Sequence, residues 1–197
     1  MANADNRRHT IRCFPSLDEE RFMAYYSIVC GARGLMFFGG HLAQVCSPED
    51  KSLGWNWSFW RHALKPVVSE LGSAALNPAL LVPNATDPIQ MTVVKPAGLA
   101  NDVEVVARRA AGAFYLIAAR TGASGVRTIR FSGLPAETAP GGRALFEWAQ
   151  EPLPPPIGRG AQHPRPIAVT NGAFQDLFRP YDVHVYRFPA DPPLPPP

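Results

Sequence analysis

The hydrophobic pattern of this chain changes its period near residues 83–88. Before this point, apolar residues recur every three or four positions, as they do on one face of an α-helix. After residue 89 they form short β-rich runs, several of which alternate apolar with polar residues as half-buried strands do. The runs are residues 91–94, 103–108, 114–119, 126–131, 144–148 and 182–188. This pattern predicts an α+β fold in which residues 85–188 form an antiparallel β-sandwich, preceded by a helical segment at 1–84.

Two helices are predicted in that first segment. Ser16 and Glu19 have the spacing of a capping box, in which each side chain bonds the backbone N–H of the other residue. A helix is therefore expected from about residue 17 to residue 30, with Gly31 as its stop. Pro66 is expected to kink the second helix or to end it early. That helix is predicted from an apolar stripe formed by Trp57, Trp60, Leu64, Val67 and Leu71.

Between these helices lies a short run that is apolar at every position. Residues 35–38 read Leu-Met-Phe-Phe and are followed by two glycines. Such a run is typical of a strand that is buried on both faces, as in parallel sheets. A parallel strand needs neighbouring strands, and residues 1–84 do not contain them. We therefore expect an incomplete helix-strand-helix segment with an exposed edge through which the chain forms homo-oligomers.

Prolines mark the segments that are not expected to join this framework. Many of the 22 prolines lie in residues 152–166 and 189–197. Proline has no backbone N–H to donate and cannot sit inside a helix or a central strand. Both stretches are predicted to be loop or polyproline-like, and the tail at 189–197 to be disordered.

The charge, hydropathy and cysteine and histidine spacing of the chain argue against nucleic acid, a membrane and a metal ion as partners. The 19 basic and 16 acidic residues leave a net charge of +3 without a run of like charges, which is too weak a balance to indicate nucleic acid as a partner. No stretch is long and apolar enough for a membrane span, and residues 1–10 lack the apolar core of a secretion signal, so a cytoplasmic location is expected. The three cysteines and five histidines lack metal-ligand spacing. No metal and no cofactor are therefore predicted.

The first segment carries a resemblance to a known class of enzyme. It reads Arg-Phe-Met-Ala-Tyr at 21–25 and Gly-Ala-Arg-Gly-Leu-Met-Phe-Phe-Gly-Gly at 31–40. These residues resemble the seventh helix and eighth strand of retaining glycoside hydrolases with a (β/α)-barrel, and residues 53–71 resemble the eighth helix. The β-rich remainder is similar to the small C-terminal sandwich that packs beside such barrels. The resemblance implies that the helix-strand-helix segment at 1–84 is a partial (β/α)-barrel. It also implies a chain from the C-terminal part of such an enzyme, with carbohydrate as its ligand.

The same resemblance places the catalytic carboxylates outside this chain. In these enzymes the two carboxylates stand at the ends of the fourth and seventh strands, on opposite sides of one glycosidic bond. If residues 34–38 are the eighth strand, both positions precede Met1. Glu49 and Asp50 follow that strand, but adjacent side chains point apart and make a poor acid/base pair, so a loop or helix-capping role is the simpler interpretation. The resemblance thus implies a hydrolase of O-glycosyl bonds, whereas the isolated chain is expected to be inactive.

Substrate-binding residues are predicted in the loop that would lie at the mouth of the barrel. Phe38, His41, Trp55 and Trp57 are the candidates, because aromatic side chains combine a flat apolar face with a polar edge. The helical spacing of Trp57 also explains it as a core residue, and His41 could equally be a surface residue of the loop.

The sequence is also compatible with two other functions. The sandwich could be a stand-alone, non-catalytic module that binds carbohydrate or has a structural role, with the helices merely covering it. An enzyme of different chemistry would need a pocket with convergent titratable groups, and the sequence does not indicate one.

Overall fold

The first helix of the computed structural model begins where the sequence predicts. The structure describes residues 14–37, 48–53, 56–139, 141–146 and 164–189. Helix α1 spans Leu17–Val29, and both hydrogen bonds of the capping box between Ser16 and Glu19 are present. Gly31 follows the helix with φ +102°, a conformation that glycine adopts at little cost. The predicted start and stop of this helix are confirmed.

A π-helical turn lets the second helical segment run past Pro66. After α2 (Pro48–Leu53), helix α3 (Trp57–Phe59), a π-helical turn (Trp60–Leu64) and α4 (Lys65–Leu71) follow one another without a break. Proline has no N–H for the preceding turn and its ring crowds the carbonyl four residues earlier, and a widened turn accommodates both. Of the two alternatives predicted at Pro66, the early end is wrong, whereas the π-helical turn directly before it is the kind of local distortion at which helices kink. Helix α5 spans Asn77–Leu80, and none of the described helices is long and apolar enough to cross a membrane.

The strand predicted between the helices is not found at residues 34–37. These four residues form neither helix nor strand, and the Met36 side chain is 93% exposed. Phe38 lies outside the described residues. A parallel strand depends on its neighbours for hydrogen bonds, and the sheets of the described residues contain no partner for this run. The prediction of a buried parallel strand is wrong at these positions, and the barrel segment is not confirmed.

Two antiparallel sheets form after residue 89, as predicted. The strands are β1 (Gln90–Lys95), β2 (Val103–Ala110), β3 (Ala113–Arg120), β4 (Arg127–Ser132), β5 (Gly142–Phe146), β6 (Arg165–Ile167), β7 (Ala173–Phe178) and β8 (Val183–Pro189). One sheet has the order β1-β4-β7 and the other the order β2-β3-β8-β5-β6. All pairings between these strands are antiparallel. The chain is therefore a mixed helix and strand fold, as the α+β prediction requires.

Strand β6 falls in the stretch that is predicted to be a proline-rich loop. It pairs only with β5 and forms an edge of its sheet. An edge strand tolerates proline because one side of its ladder has no partner to bond. The prediction is therefore wrong at residues 165 and 166, and the predicted disorder of the tail is wrong at Pro189, which ends β8 and pairs with Ala113 of β3. Residues 152–163 and 190–197 lie outside the described part of the chain.

Strand β3 lies between two layers of core, and all eight of its residues are buried. Phe114, Leu116 and Ala118 pack in the interior between the two sheets. Tyr115, Ile117 and Ala119 pack on the opposite face, in one apolar cluster with Tyr25 and Ile28 of α1. The helices thus form a third layer on the five-stranded sheet, which explains why β3 is apolar at almost every position.

Candidate functional site

A cleft opens between α1 and the turn that joins β7 to β8. It encloses about 850 Å³, within the range of about 300–1,000 Å³ that is usual for small-molecule sites. One side consists of residues around the first two turns of α1, and the other of the complete turn at 179–182. We call it the aromatic cleft; it is lined by Phe14, Pro15, Asp18, Glu19, Phe22, Met23, Arg179, Pro180, Tyr181 and Asp182.

The first turn of α1 supplies polar groups to the cleft. Glu19 accepts hydrogen bonds from the Ser16 backbone N–H at 2.8 Å and from the Ser16 hydroxyl at 2.9 Å. These bonds, the backbone one foremost, hold the pKa of Glu19 below its ordinary value. Glu19 is therefore ionised at neutral pH, and its carboxylate already serves to begin the helix. Asp18 lies in the same turn, so this wall of the cleft carries two acidic side chains.

Aromatic side chains form the apolar part of the cleft. The Phe22 ring is stacked with that of Tyr26 at 5.3 Å between centroids, and it meets the Tyr181 ring at 5.1 Å with an interplanar angle of 64°. Phe14 stacks on Phe59 of α3 with centroids 4.3 Å apart. The Tyr181 side chain nevertheless remains 46% exposed. Its ring is therefore available for contact with a ligand.

The turn at 179–182 holds Tyr181 in an unusual backbone conformation. The Arg179 N–H donates to the Asp182 carboxylate at 2.6 Å, and the Asp182 N–H donates to the Arg179 carbonyl at 3.2 Å. Tyr181 has φ +59°, in the left-handed region that costs a non-glycine residue roughly 1–2 kcal/mol. Strain of this kind persists only where the surrounding structure enforces it, and it clusters at functional sites.

A buried ionic network supports this turn from inside the sandwich. Nδ1 of His184 lies 3.2 Å from a carboxylate oxygen of Asp176, and Nε2 lies 3.7 Å from Asp182. The Tyr186 hydroxyl and the Arg165 guanidinium donate to the same Asp176 oxygen at 2.7 and 2.6 Å. Burial alone would raise the pKa of Asp176, but His184, Tyr186 and Arg165 together outweigh it and hold the pKa at about 2. Burial alone would lower the pKa of His184, but Asp176 and Asp182 outweigh it and raise that pKa above its ordinary value.

The side chains that line the cleft combine apolar and polar groups. Glu20 is a buried carboxyl group of α1, and burial raises its pKa, but it does not line the cleft. In the described part of the chain, no group of three or more His, Cys, Asp or Glu side chains is placed to hold a metal ion. What faces the cleft is a set of aromatic rings, carboxylates and the Arg179 side chain, which suits recognition of a ligand with both apolar and polar faces.

Three of the predicted substrate-binding residues, Phe38, His41 and Trp55, lie outside the described residues. The fourth, Trp57, is 38% exposed at the start of α3 and does not line the aromatic cleft. Its exposure shows that it is not a fully buried core residue. A role for Trp57 in substrate binding stays a prediction.

Glu49 and Asp50 lie within α2 rather than in a loop, and Asp50 has the expected helix-capping role. Asp50 is buried, and its carboxylate accepts the backbone N–H of Ser58 at 3.2 Å. This bond satisfies a free donor in the first turn of α3, as predicted for a helix-capping residue. The side chain of Glu49 lies outside the described residues.

The residues of the aromatic cleft could not be grouped from the sequence. The Arg-Pro-Tyr-Asp sequence at 179–182 contains a proline, which favours a turn, directly before the last β-rich run. The sequence carries no sign that this turn lies beside the first turns of α1. The packing of α1 against β8 brings the two together.

Comparison of the chain with models of known families, with curated proteins and with solved structures gave no match. A function for the aromatic cleft is therefore argued from its own side chains and their geometry.

Proposed function

We propose that this chain binds carbohydrate in the aromatic cleft without hydrolysing it, and that it forms the C-terminal end of a (β/α)-barrel glycoside hydrolase. One observation carries the binding proposal. The partly exposed Tyr181 ring stands edge-to-face with Phe22 in a cleft that also presents Glu19 and Arg179.

A sugar ring fits this combination of groups. A pyranose has an apolar face of C–H groups and a rim of hydroxyl groups. Flat aromatic rings pack against the first, while carboxylates accept hydrogen bonds from the second and a guanidinium donates to it. The strained backbone of Tyr181 supports the proposal, since it holds an exposed ring in place at the cleft.

The relation to a barrel hydrolase rests on the order and packing of the elements. A helix, an apolar run and a second helix precede the sandwich, which is the order of elements at the end of the (β/α)-barrel hydrolases that the sequence resembles. Helices α1 and α4 contact each other, and Arg21 of α1 bonds both Glu70 of α4 and the Val183 carbonyl of β8. In a complete barrel, residues 34–37 would gain strand neighbours that the described residues do not supply.

The carboxylates of the cleft argue for binding rather than hydrolysis. A glycosidase needs two carboxyl groups about 5–5.5 Å apart when retaining or about 6.5–9.5 Å apart when inverting, with the pKa of the acid raised. The pKa of Glu19 is instead lowered, and its carboxylate is bonded to Ser16. The Asp182 carboxylate accepts the Arg179 N–H and faces His184. Neither group has the environment of a general acid.

Binding is tested by isothermal titration calorimetry, in which a panel of neutral oligosaccharides is titrated into the purified chain. We expect saturable binding by the wild type and at least about a tenfold loss in Tyr181→Ala, which removes the exposed ring. Leu177→Ala is the matched control, because Leu177 is an exposed apolar residue of β7 that does not line the cleft. If no sugar binds, the structural-module interpretation replaces this proposal.

The test of hydrolysis uses aryl glycosides and natural oligosaccharides. We expect turnover near background for the wild type, because positioned acid/base groups contribute about 10²- to 10⁴-fold. Robust turnover that is abolished by Glu19→Gln, Glu49→Gln or Asp50→Asn would show that the chain is an enzyme and would overturn the non-catalytic assignment.

A further inference from the structure

A row of basic side chains crosses the five-stranded sheet on the face that carries the helices. Tyr115 of β3 is paired with Arg108 of β2 on one side and with Arg187 of β8 on the other. Arg187 is in turn paired with Arg143 of β5. Residues paired across antiparallel strands point to the same side of the sheet. Three arginines and one tyrosine therefore share one face in a single cross-strand row.

Two of these arginines are accessible, and no carboxylate of the described residues binds either of them. Arg187 donates from Nε to the Tyr115 hydroxyl at 3.1 Å, and its guanidinium carbon lies 5.9 Å from the centre of the Tyr115 ring. Arg143 is exposed and has no hydrogen bond or ion pair within the described part of the chain. Arg108 is different, because it is buried and donates to two carbonyl groups of α5.

Two other arginines of the sandwich bind acidic side chains. Arg109 bonds both Asp87 and Glu137. Arg165 bonds Asp176. Like charges directly opposite each other on neighbouring strands are destabilising, so the juxtaposition of Arg143 and Arg187 calls for an anion that the described residues do not provide.

The two arginines line a concave site of about 430 Å³ that is formed by β5, the end of β8 and Pro164. Gly142 lets β5 approach β8 closely there, since a Cβ at this position would lie 2.6 Å from the Arg187 carbonyl oxygen. Pro164 and Pro189 also line the site, and neither side chain carries a charged or hydrogen-bonding group. Arg143 and Arg187 are therefore the charged groups of this site.

We propose that Arg143 and Arg187 form a binding site for an oxyanion, the sulfate ester or carboxylate of an acidic polysaccharide. A guanidinium presents several N–H donors in a planar fork that matches the oxygens of such groups, and two adjacent guanidinium groups bind one anion cooperatively. That the anion is carried on a polysaccharide rests on the proposed carbohydrate function. The oxyanion site itself rests only on the arginine pair.

The first experiment titrates inorganic sulfate into the full chain at constant ionic strength and follows the backbone amide signals by NMR. We expect saturable shifts centred on β5 and β8, and affinity at least about tenfold weaker in Arg143→Gln. Arg130→Gln is the matched control, because Arg130 is an exposed strand arginine whose cross-strand neighbours are Thr92 and Gln175. Non-saturable shifts in the wild type, or equal losses in the two variants, would overturn the site.

The second experiment identifies the source of the anion by competition with bound sulfate. The competitors are a sulfated oligosaccharide, a uronate oligosaccharide of the same length and their neutral parent. We expect one acidic sugar to displace sulfate in the wild type and the neutral one to leave it bound. Displacement by a single-stranded oligonucleotide but by neither acidic sugar would overturn the polysaccharide assignment. If the Tyr181→Ala variant still binds sulfate, the oxyanion site does not depend on the aromatic cleft. The oxyanion proposal and the carbohydrate proposal can then fail independently.

Discussion

Arg21 of α1 binds the Glu70 carboxylate of α4 through two nitrogen atoms, with Nε at 3.0 Å and Nη2 at 2.7 Å from the same oxygen. The remaining Nη1 donates to the Val183 carbonyl of β8 at 2.7 Å, and the Tyr25 hydroxyl also donates to Glu70 at 2.7 Å. One buried guanidinium thus joins both helices to the five-stranded sheet. The position of α1, and with it one wall of the aromatic cleft, depends on this contact.

Removal of the Glu70 carboxylate should destabilise the chain strongly. Glu70→Ala leaves the buried Arg21 charge without a counterion, and breaking a buried pair in this way costs about 3–5 kcal/mol. Glu104→Ala should change stability by less than about 0.5 kcal/mol, because Glu104 is exposed and only accepts a 3.3 Å bond from Tyr26. Urea unfolding followed by circular dichroism measures both. Equal effects of the two substitutions would show that the helix anchor is not Arg21.

Replacement by methionine should destabilise one of two buried arginine sites strongly and the other little. Arg120 is 0% exposed and bonds Asp102 and three backbone carbonyl groups, so Arg120→Met should cost about 3–5 kcal/mol. Arg108 is 1% exposed, but its Nε and Nη2 have no hydrogen-bond partner in the described structure. Burial and the nearby Arg33 charge, in that order, lower the pKa of Arg108. Arg108→Met should therefore change the free energy of unfolding by less than about 1 kcal/mol.

The comparison of these two variants uses the same urea unfolding measurement. Their similar burial makes each the control for the other, since the loss of side-chain volume is the same. A loss at Arg108 as large as that at Arg120 would show that burial of the aliphatic stem, rather than hydrogen bonding, decides the outcome.

The buried network of Asp176 and His184 should give stability a maximum at mildly acidic pH. The lowered pKa of Asp176, about 2 in the folded chain, adds stability above the unfolded value of about 3.9 that is lost as pH falls towards 2. The raised pKa of His184 adds stability that is complete below about 6.5 and is lost as pH rises through the folded value. We therefore expect greatest stability between about pH 4 and 6.5 from this network.

The measurement is the free energy of unfolding in urea across pH 3 to 9. His184→Asn should remove the decline above about pH 6.5 as well as lower the stability at pH 5. His62→Asn is the control, because His62 is an exposed residue of the π-helical turn. An unchanged alkaline decline in the His184 variant would exclude this histidine as its cause.

Glycine at position 181 should relieve backbone strain. Tyr181→Ala and Tyr181→Gly both remove the ring, but only glycine adopts φ +59° without a steric penalty. We expect the glycine variant to be more stable than the alanine variant by about 0.5–1 kcal/mol in thermal or urea unfolding. Both should lose carbohydrate affinity equally, and a glycine variant that is the less stable of the two would show that the turn carries no strain.

The sequence determines those parts of the fold that depend on neighbours in the chain. The Ser16 and Glu19 capping box acts over three residues, so the start of α1 can be predicted from their identities alone. The alternation of apolar and polar residues after residue 89 predicts strands because each residue's face follows from its position along the strand. The same local pattern misled at residues 35–37, where an apolar run has no strand partner in the described structure.

Only the tertiary structure decides which distant residues meet. The pairing of Arg143 with Arg187 depends on the register of β5 and β8, and a one-residue slip would turn one of the two to the other face of the sheet. The contact between Phe22 and Tyr181 depends on how α1 lies against the end of β8. The helical spacing of apolar residues and the turn residues predict that each element forms, but they do not indicate how the elements pack against one another. Both candidate binding sites of this protein are therefore products of packing, because their groups come from elements far apart in the chain.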